Sequence, residues 1–107
     1  MIALEIVVLL STAGAIFTIG LACLITRTNL IKIVIGLEFL GSSVSLVMIT
    51  SGYLAGDVAT SQAVVFTLIT IEAIIAGVAL ALVIVANRTW KTLDIGKIVR
   101  YLQRDEH

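Results

Sequence analysis

Three long, mainly apolar stretches, residues 6–25, 30–51 and 63–86, take up most of this chain of 107 residues. Each is about 20 residues or longer, enough to cross a hydrocarbon layer of ~30 Å as a helix. Inside lipid every backbone N–H and C=O needs an internal partner, and the polar alternation of a barrel strand is missing, so the stretches are expected to be helices. Apolar residues make up 60% of the chain and the mean hydropathy is +1.18, more than a soluble core of this size can hide. The reading is an all-α membrane protein: a single transmembrane domain over residues 1–107, with three transmembrane helices and a cytoplasmic tail over 87–107.

The first stretch starts close to Met1 without a basic lead or a small-residue cleavage pattern, and two more follow, so it is read as a retained span. The lone cysteine, Cys23, sits within it and is read as a small packing residue. No nucleotide, flavin, iron–sulfur or metal-ligand motif occurs, nor any nucleic-acid-binding pattern. Any redox chemistry is therefore expected on partner chains, with no cofactor and no metal held by this one.

Seven basic residues balance seven acidic ones, but their placement is uneven. Arg27, Lys32, Arg88, Lys91, Lys97, Arg100 and Arg104 lie in or beside the connection of residues 26–29 or in the tail, and none lies in the second connection, residues 52–62. Positive charge is retained on the cytoplasmic side, which predicts the N-terminus out and the C-terminus cytoplasmic. In the tail, Ile95, Ile98, Val99 and Leu102 have helical spacing, and Asp94 stands where an N-cap belongs. This predicts a short amphipathic helix, an interfacial foot held by Trp90 and anionic lipid or a docking element for a partner subunit. His107 is isolated and is given no role.

Within the spans the charged residues are Glu38, Glu72 and, at an edge, Lys32. At 1.5 Å per residue, Glu38 lies about 12 Å from the cytoplasmic end of its span and Glu72 about 21 Å from the cytoplasmic end of the next, an offset of roughly 9 Å. A charge at such depth costs on the order of 2.5–3.5 kcal/mol, and neither glutamate has a basic residue deep in its own span. A carboxyl that mobile neighbours hold between its charged and neutral forms can take up and release a proton, so Glu38 and Glu72 are the candidate proton relay. Lys32 is read as snorkelling to the interface, with a possible part in tuning the proton path, and Glu5 as an interfacial charge. Gly41, Ser42 and Ser45, at i+3, i+4 and i+7, form a small polar stripe assigned to Glu38. Ala73, Gly77 and Ala81 form a ladder suited to close helix packing. Glu72 is expected in more apolar surroundings, leaning on a neighbouring subunit.

The segment Thr28-Asn29-Leu30-Ile31-Lys32-Ile33-Val34-Ile35-Gly36-Leu37-Glu38 resembles the entry to the second helix of the NuoK family, the small K subunits of complex I-type proton-pumping oxidoreductases. The run from Ile71 and Glu72 through Ala81 is similar to that family's third helix, and Thr92-Leu93-Asp94 to its post-membrane stretch. The resemblance covers nearly the whole chain. It implies a place in a membrane arm between quinone-site-side and antiporter-like subunits, with Glu38 and Glu72 on a central hydrophilic axis. It also implies that flavin, iron–sulfur clusters and a quinone-type carrier sit on partner chains, fed by NADH, ferredoxin or a reduced deazaflavin. The serines at 42, 43 and 45 stand where many relatives have asparagine, and Gln62-Ala63 is reminiscent of the C subunit of Mrp-type sodium/proton antiporters, an assembly that shares this module with membrane-bound hydrogenases. That subunit is the alternative. A small multidrug-type exporter fits poorly, because it has four spans with its glutamate in the first.

Overall fold

The computed structural model describes residues 2–26 and 28–105; Arg27 in the first connection and His107 lie outside the described residues. Four helices follow one another: α1 (Ile2–Thr26), α2 (Leu30–Ala55), α3 (Val58–Trp90) and α4 (Ile95–Asp105). The first three are long and apolar enough to cross a membrane. The chain is an all-α, multi-pass membrane protein.

The helices outrun the apolar stretches. The second connection, expected over residues 52–62, shrinks to Gly56 and Asp57. Gly56 ends α2 in the left-handed region (φ 73°), where a side chain would be strained, and its N–H reaches back to the Gly52 and Tyr53 carbonyls. Asp57 then caps α3, its Oδ1 accepting from Thr60 N at 3.2 Å. With both ends capped, the polar residues between 58 and 62 continue the helix although they do not favour lipid. At 33 residues, α3 is about 50 Å long, well beyond the hydrocarbon thickness.

α2 is the central helix and packs extensively against both α1 and α3. The α1–α2 crossing is set by two glycines: a Cβ on Gly20 would lie 2.9 Å from the Gly36 carbonyl oxygen, and one on Gly36 would lie 3.0 Å from both the Gly20 oxygen and Cys23 Cβ. Cys23 is half-buried at this seam, a packing residue as expected. At the far end of the α2–α3 hairpin, Gly52 leaves the space that the Ser61 side chain fills. Gly36 and Gly41 are five residues apart, about 140° around α2, so α1 and α3 use different faces and the three helices form an open row. The extents, 62 × 25 × 18 Å, agree with that shape.

The tail helix forms where its periodicity predicts it. Asp94 caps it, with Oδ1 accepting from Lys97 N at 3.3 Å. Lys91, with φ 54°, turns the chain out of α3. The segment that follows is tied to the first connection: Leu30 N donates to Leu93 O at 2.9 Å, Ile95 N to Thr28 O at 3.1 Å, and the Thr28 hydroxyl to Asp94 Oδ2 at 3.3 Å. This two-stranded bridge between Asn29 and Asp94 places the first connection and the tail at one end of the bundle, as three spans require. Trp90, Ile95 and Ile98 converge with Leu30, Val34 and Val83 on an apolar cavity of about 520 Å³ beneath it.

Candidate functional site

The groove between α2 and α3 holds both glutamates. Glu38, half-buried on α2, lines one part of it, about 320 Å³, with Ile31, Val34, Ile35, Phe39 and Ser42 of its own helix and Ala76 and Leu80 of α3. Glu72, half-buried on α3, lines a second part, about 310 Å³, with Ser42, Ser45, Leu46 and Ile49 of α2 and Val65 and Ile69 of α3. Ser42 borders both, and Glu38 is close enough to act on Glu72 electrostatically. The two carboxyls expected to work together are therefore brought into one groove from two helices. Glu72 stands level with residues 41–45 of α2, three to seven residues beyond Glu38, so the offset along the membrane normal is roughly 5–10 Å.

The assignment of the polar stripe has to be corrected. Gly41 and Ser45, given to Glu38 because they stand at i+3 and i+7 from it, face Glu72 instead. A Cβ on Gly41 would meet the Glu72 carboxyl at 2.5 Å from Oε1, 2.7 Å from Cδ and 3.0 Å from Oε2, so the carboxyl lies directly on the glycine. Ser45, one turn further along α2, is near enough to act on the same carboxyl but closes no hydrogen bond of proper geometry with it. Both glutamates have mainly apolar surroundings, with Ser42 beside Glu38 and Ser42 and Ser45 beside Glu72. The reason is rotational: the way α2 and α3 are turned against each other sets Glu72 beside Gly41 and Ser45, although those residues share a helical face with Glu38.

Hydroxyls inside the spans mostly satisfy themselves. Those of Thr12, Thr18, Ser43, Thr50, Thr67 and Thr70 donate to carbonyls three or four residues earlier, at 2.8–3.1 Å. Among the described residues the buried side-chain oxygen left without a partner is Ser45 Oγ. Buried polar groups seldom stay unpaired, so this atom marks a place where a water or a moving side chain is expected to bind.

Lys32 is exposed and lines neither part of the groove. It is six residues from Glu38, which turns it about 120° away around α2. Glu5 is exposed in the first turn of α1, where a negative charge suits the helix dipole. The Ala73, Gly77 and Ala81 ladder is not used within the chain: all three are exposed, and a Cβ on Gly77 would meet nothing within 4 Å. Among the described residues no group of three or more His, Cys, Asp or Glu side chains is placed to hold a metal ion.

Comparison with known proteins agrees with this architecture. Residues 8–101 match the family described as NADH-ubiquinone/plastoquinone oxidoreductase chain 4L. The chain is 34% identical to the NADH-quinone oxidoreductase subunit K of Roseiflexus castenholzii over 80% of its length and 85% of that protein's. It is 36% identical to the subunit K of Syntrophotalea carbinolica, over 82% of this chain and 86% of the other. To the NAD(P)H-quinone oxidoreductase subunit 4L of a Nostoc species it is 34% identical, over 78% and 83%. Three membrane-spanning helices and a match over most of the length to several such subunits lead to one conclusion: the chain belongs to the chain 4L family of NADH-quinone oxidoreductases, as a membrane subunit of an oxidoreductase complex.

Proposed function

We propose that this chain is a proton-translocating subunit of the membrane arm of a complex I-like respiratory oxidoreductase, with Glu38 and Glu72 carrying protons along the α2–α3 groove. The observation that carries the reading is the convergence of two carboxyls, one from each helix, on a single groove whose other lining residues are uncharged. Each such group costs free energy in lipid, which favours a functional role for the pair over a purely structural one. Ser42 stands between them and, with waters entering the groove, offers a hydrogen-bonded path across an offset too long for direct transfer.

In this reading the chain performs no electron transfer. Reduction of a quinone-type acceptor takes place on neighbouring subunits of the quinone-site side, and the conformational change it drives is passed through this chain toward antiporter-like subunits. The complex sits in the cytoplasmic membrane, with the bound-together first connection and tail on the cytoplasmic side, a sidedness that their basic residues support. Flavin and iron–sulfur clusters belong to the partner chains. The names of the relatives, all quinone oxidoreductase subunits, favour this branch over a C-type subunit of a sodium/proton antiporter.

The test is Glu38→Gln and Glu72→Gln in the reconstituted complex. Both variants are expected to assemble, because glutamine keeps the volume and one hydrogen-bonding oxygen, and each is expected to lower coupled proton translocation by about tenfold or more, a barrier increase of about 1.4 kcal/mol. Wild-type translocation by both variants overturns the proposal.

A further inference from the structure

We propose that Gly41 and Ser45 of α2 are positioning residues for Glu72: the glycine gives its carboxyl a seat against α2, and the serine hydroxyl binds a carboxyl oxygen. The inference deepens the proton-relay reading in what it says of turnover, but its structural content holds without it.

Two independent observations meet at this point. The first is steric. The three atoms nearest to a Cβ at position 41 belong to the Glu72 carboxyl, the far end of a side chain with three rotatable bonds. The glycine is therefore not there to let two backbones approach, as Gly20 and Gly36 are, whose added Cβ atoms would meet carbonyl oxygens. Its missing side chain is the space that the carboxyl occupies. Alanine at 41 would be accommodated by displacing the carboxyl and leaving the helices in place.

The second observation is the orphan hydroxyl. Ser45 is only 8% exposed, and its Oγ has no hydrogen-bond partner, whereas Ser43 and Thr50 on the same helix bond back to carbonyls. It lines the same groove as Glu72, one turn from the glycine. A hydroxyl can donate to a carboxylate and accept from a protonated carboxyl, so a small rotation of the Glu72 side chain satisfies both groups in either protonation state. Glycine and serine, four residues apart on one helix face, thus define where the carboxyl rests and what it bonds.

The test uses the assembled complex in nanodiscs and infrared difference spectroscopy, with the Glu72 carboxyl or carboxylate band identified by its loss in Glu72→Gln. Ser45→Ala is expected to shift that band, and Ser45→Thr, which keeps the hydroxyl, to leave it at the wild-type position. Gly41→Ala is expected to move it as well. Coupled turnover should fall about tenfold in Ser45→Ala and recover in Ser45→Thr, the loss of one hydrogen bond to a charged group. An unmoved band in Ser45→Ala, or an equal shift in Ser45→Thr, overturns the proposal. If Gly41→Ala does not assemble, Ser45→Ala decides, because it removes an atom and adds none. A shifted band in Ser45→Ala together with wild-type translocation by Glu72→Gln would leave the positioning role standing and remove the relay.

Discussion

At the scale of single residues, the glycines of this chain do different work although the sequence writes them alike. A Cβ at Gly36 meets backbone and a Cβ carbon, which move only if α1 and α2 separate, so Gly36→Ala is expected to destabilise the chain by about 1–3 kcal/mol. Gly77 meets nothing, so Gly77→Ala should leave the chain's own packing unchanged. The two are compared by the temperature at which each variant loses its monodisperse peak in detergent, with Gly36→Ala lower than wild type and Gly77→Ala equal to it. That Glu38 and Glu72 stand well inside helices of membrane-crossing length was legible from the sequence, because it depends on position along an apolar stretch. Their neighbours were not. Gly41 and Ser45 share a helical face with Glu38, and spacing along one helix cannot say which residue of another helix occupies the space beside it.

At the scale of the elements, caps decide where helices stop and hydropathy does not. Residues 52–62 read as a loop because they hold Gly52, Gly56, Asp57 and Ser61, yet Gly56 and Asp57 suffice for the turn and the rest is helical. Gly56→Ala places a Cβ in the left-handed region and should cost about 1–2 kcal/mol. At the other end, Asp94 both caps α4 and bonds Thr28. Asp94→Ala is expected to cost about 1 kcal/mol locally and to speed hydrogen exchange at the Ile95–Ile98 amides about fivefold while exchange in α3 stays as it was. The cap was visible in the sequence as an acidic residue before an amphipathic run; the bond to a residue 66 positions earlier was not.

At the scale of the whole molecule, the row of three helices leaves most of its large apolar side chains uncovered, among them Ile25, Phe66, Ile74 and Leu82. Exposure of this extent requires lipid or neighbouring subunits on both flanks, which suits one component of a larger membrane arm. The proposed orientation predicts a simple labelling pattern. In a Cys23→Ser background, a membrane-impermeant maleimide added to right-side-out vesicles should label Ala55→Cys at the α2–α3 turn and fail to label Lys97→Cys in the tail. Labelling at 97 and protection at 55 would reverse the topology.

The sequence by itself determined that the chain lives in a membrane, that three stretches are long and apolar enough to cross it, how far along those stretches two carboxyls lie and which segments carry positive charge. Those properties follow from local hydropathy, helical rise and charge position, each a sum over neighbouring residues. Tertiary structure alone decided that the helices stand in an open row with α2 in the middle, that the tail is tied to the first connection, and that the glycine–serine pair serves Glu72 and not Glu38. These depend on the rotation of one helix against another, and that rotation is set by which small residues let backbones and carboxyls approach, a choice made between segments distant in the chain.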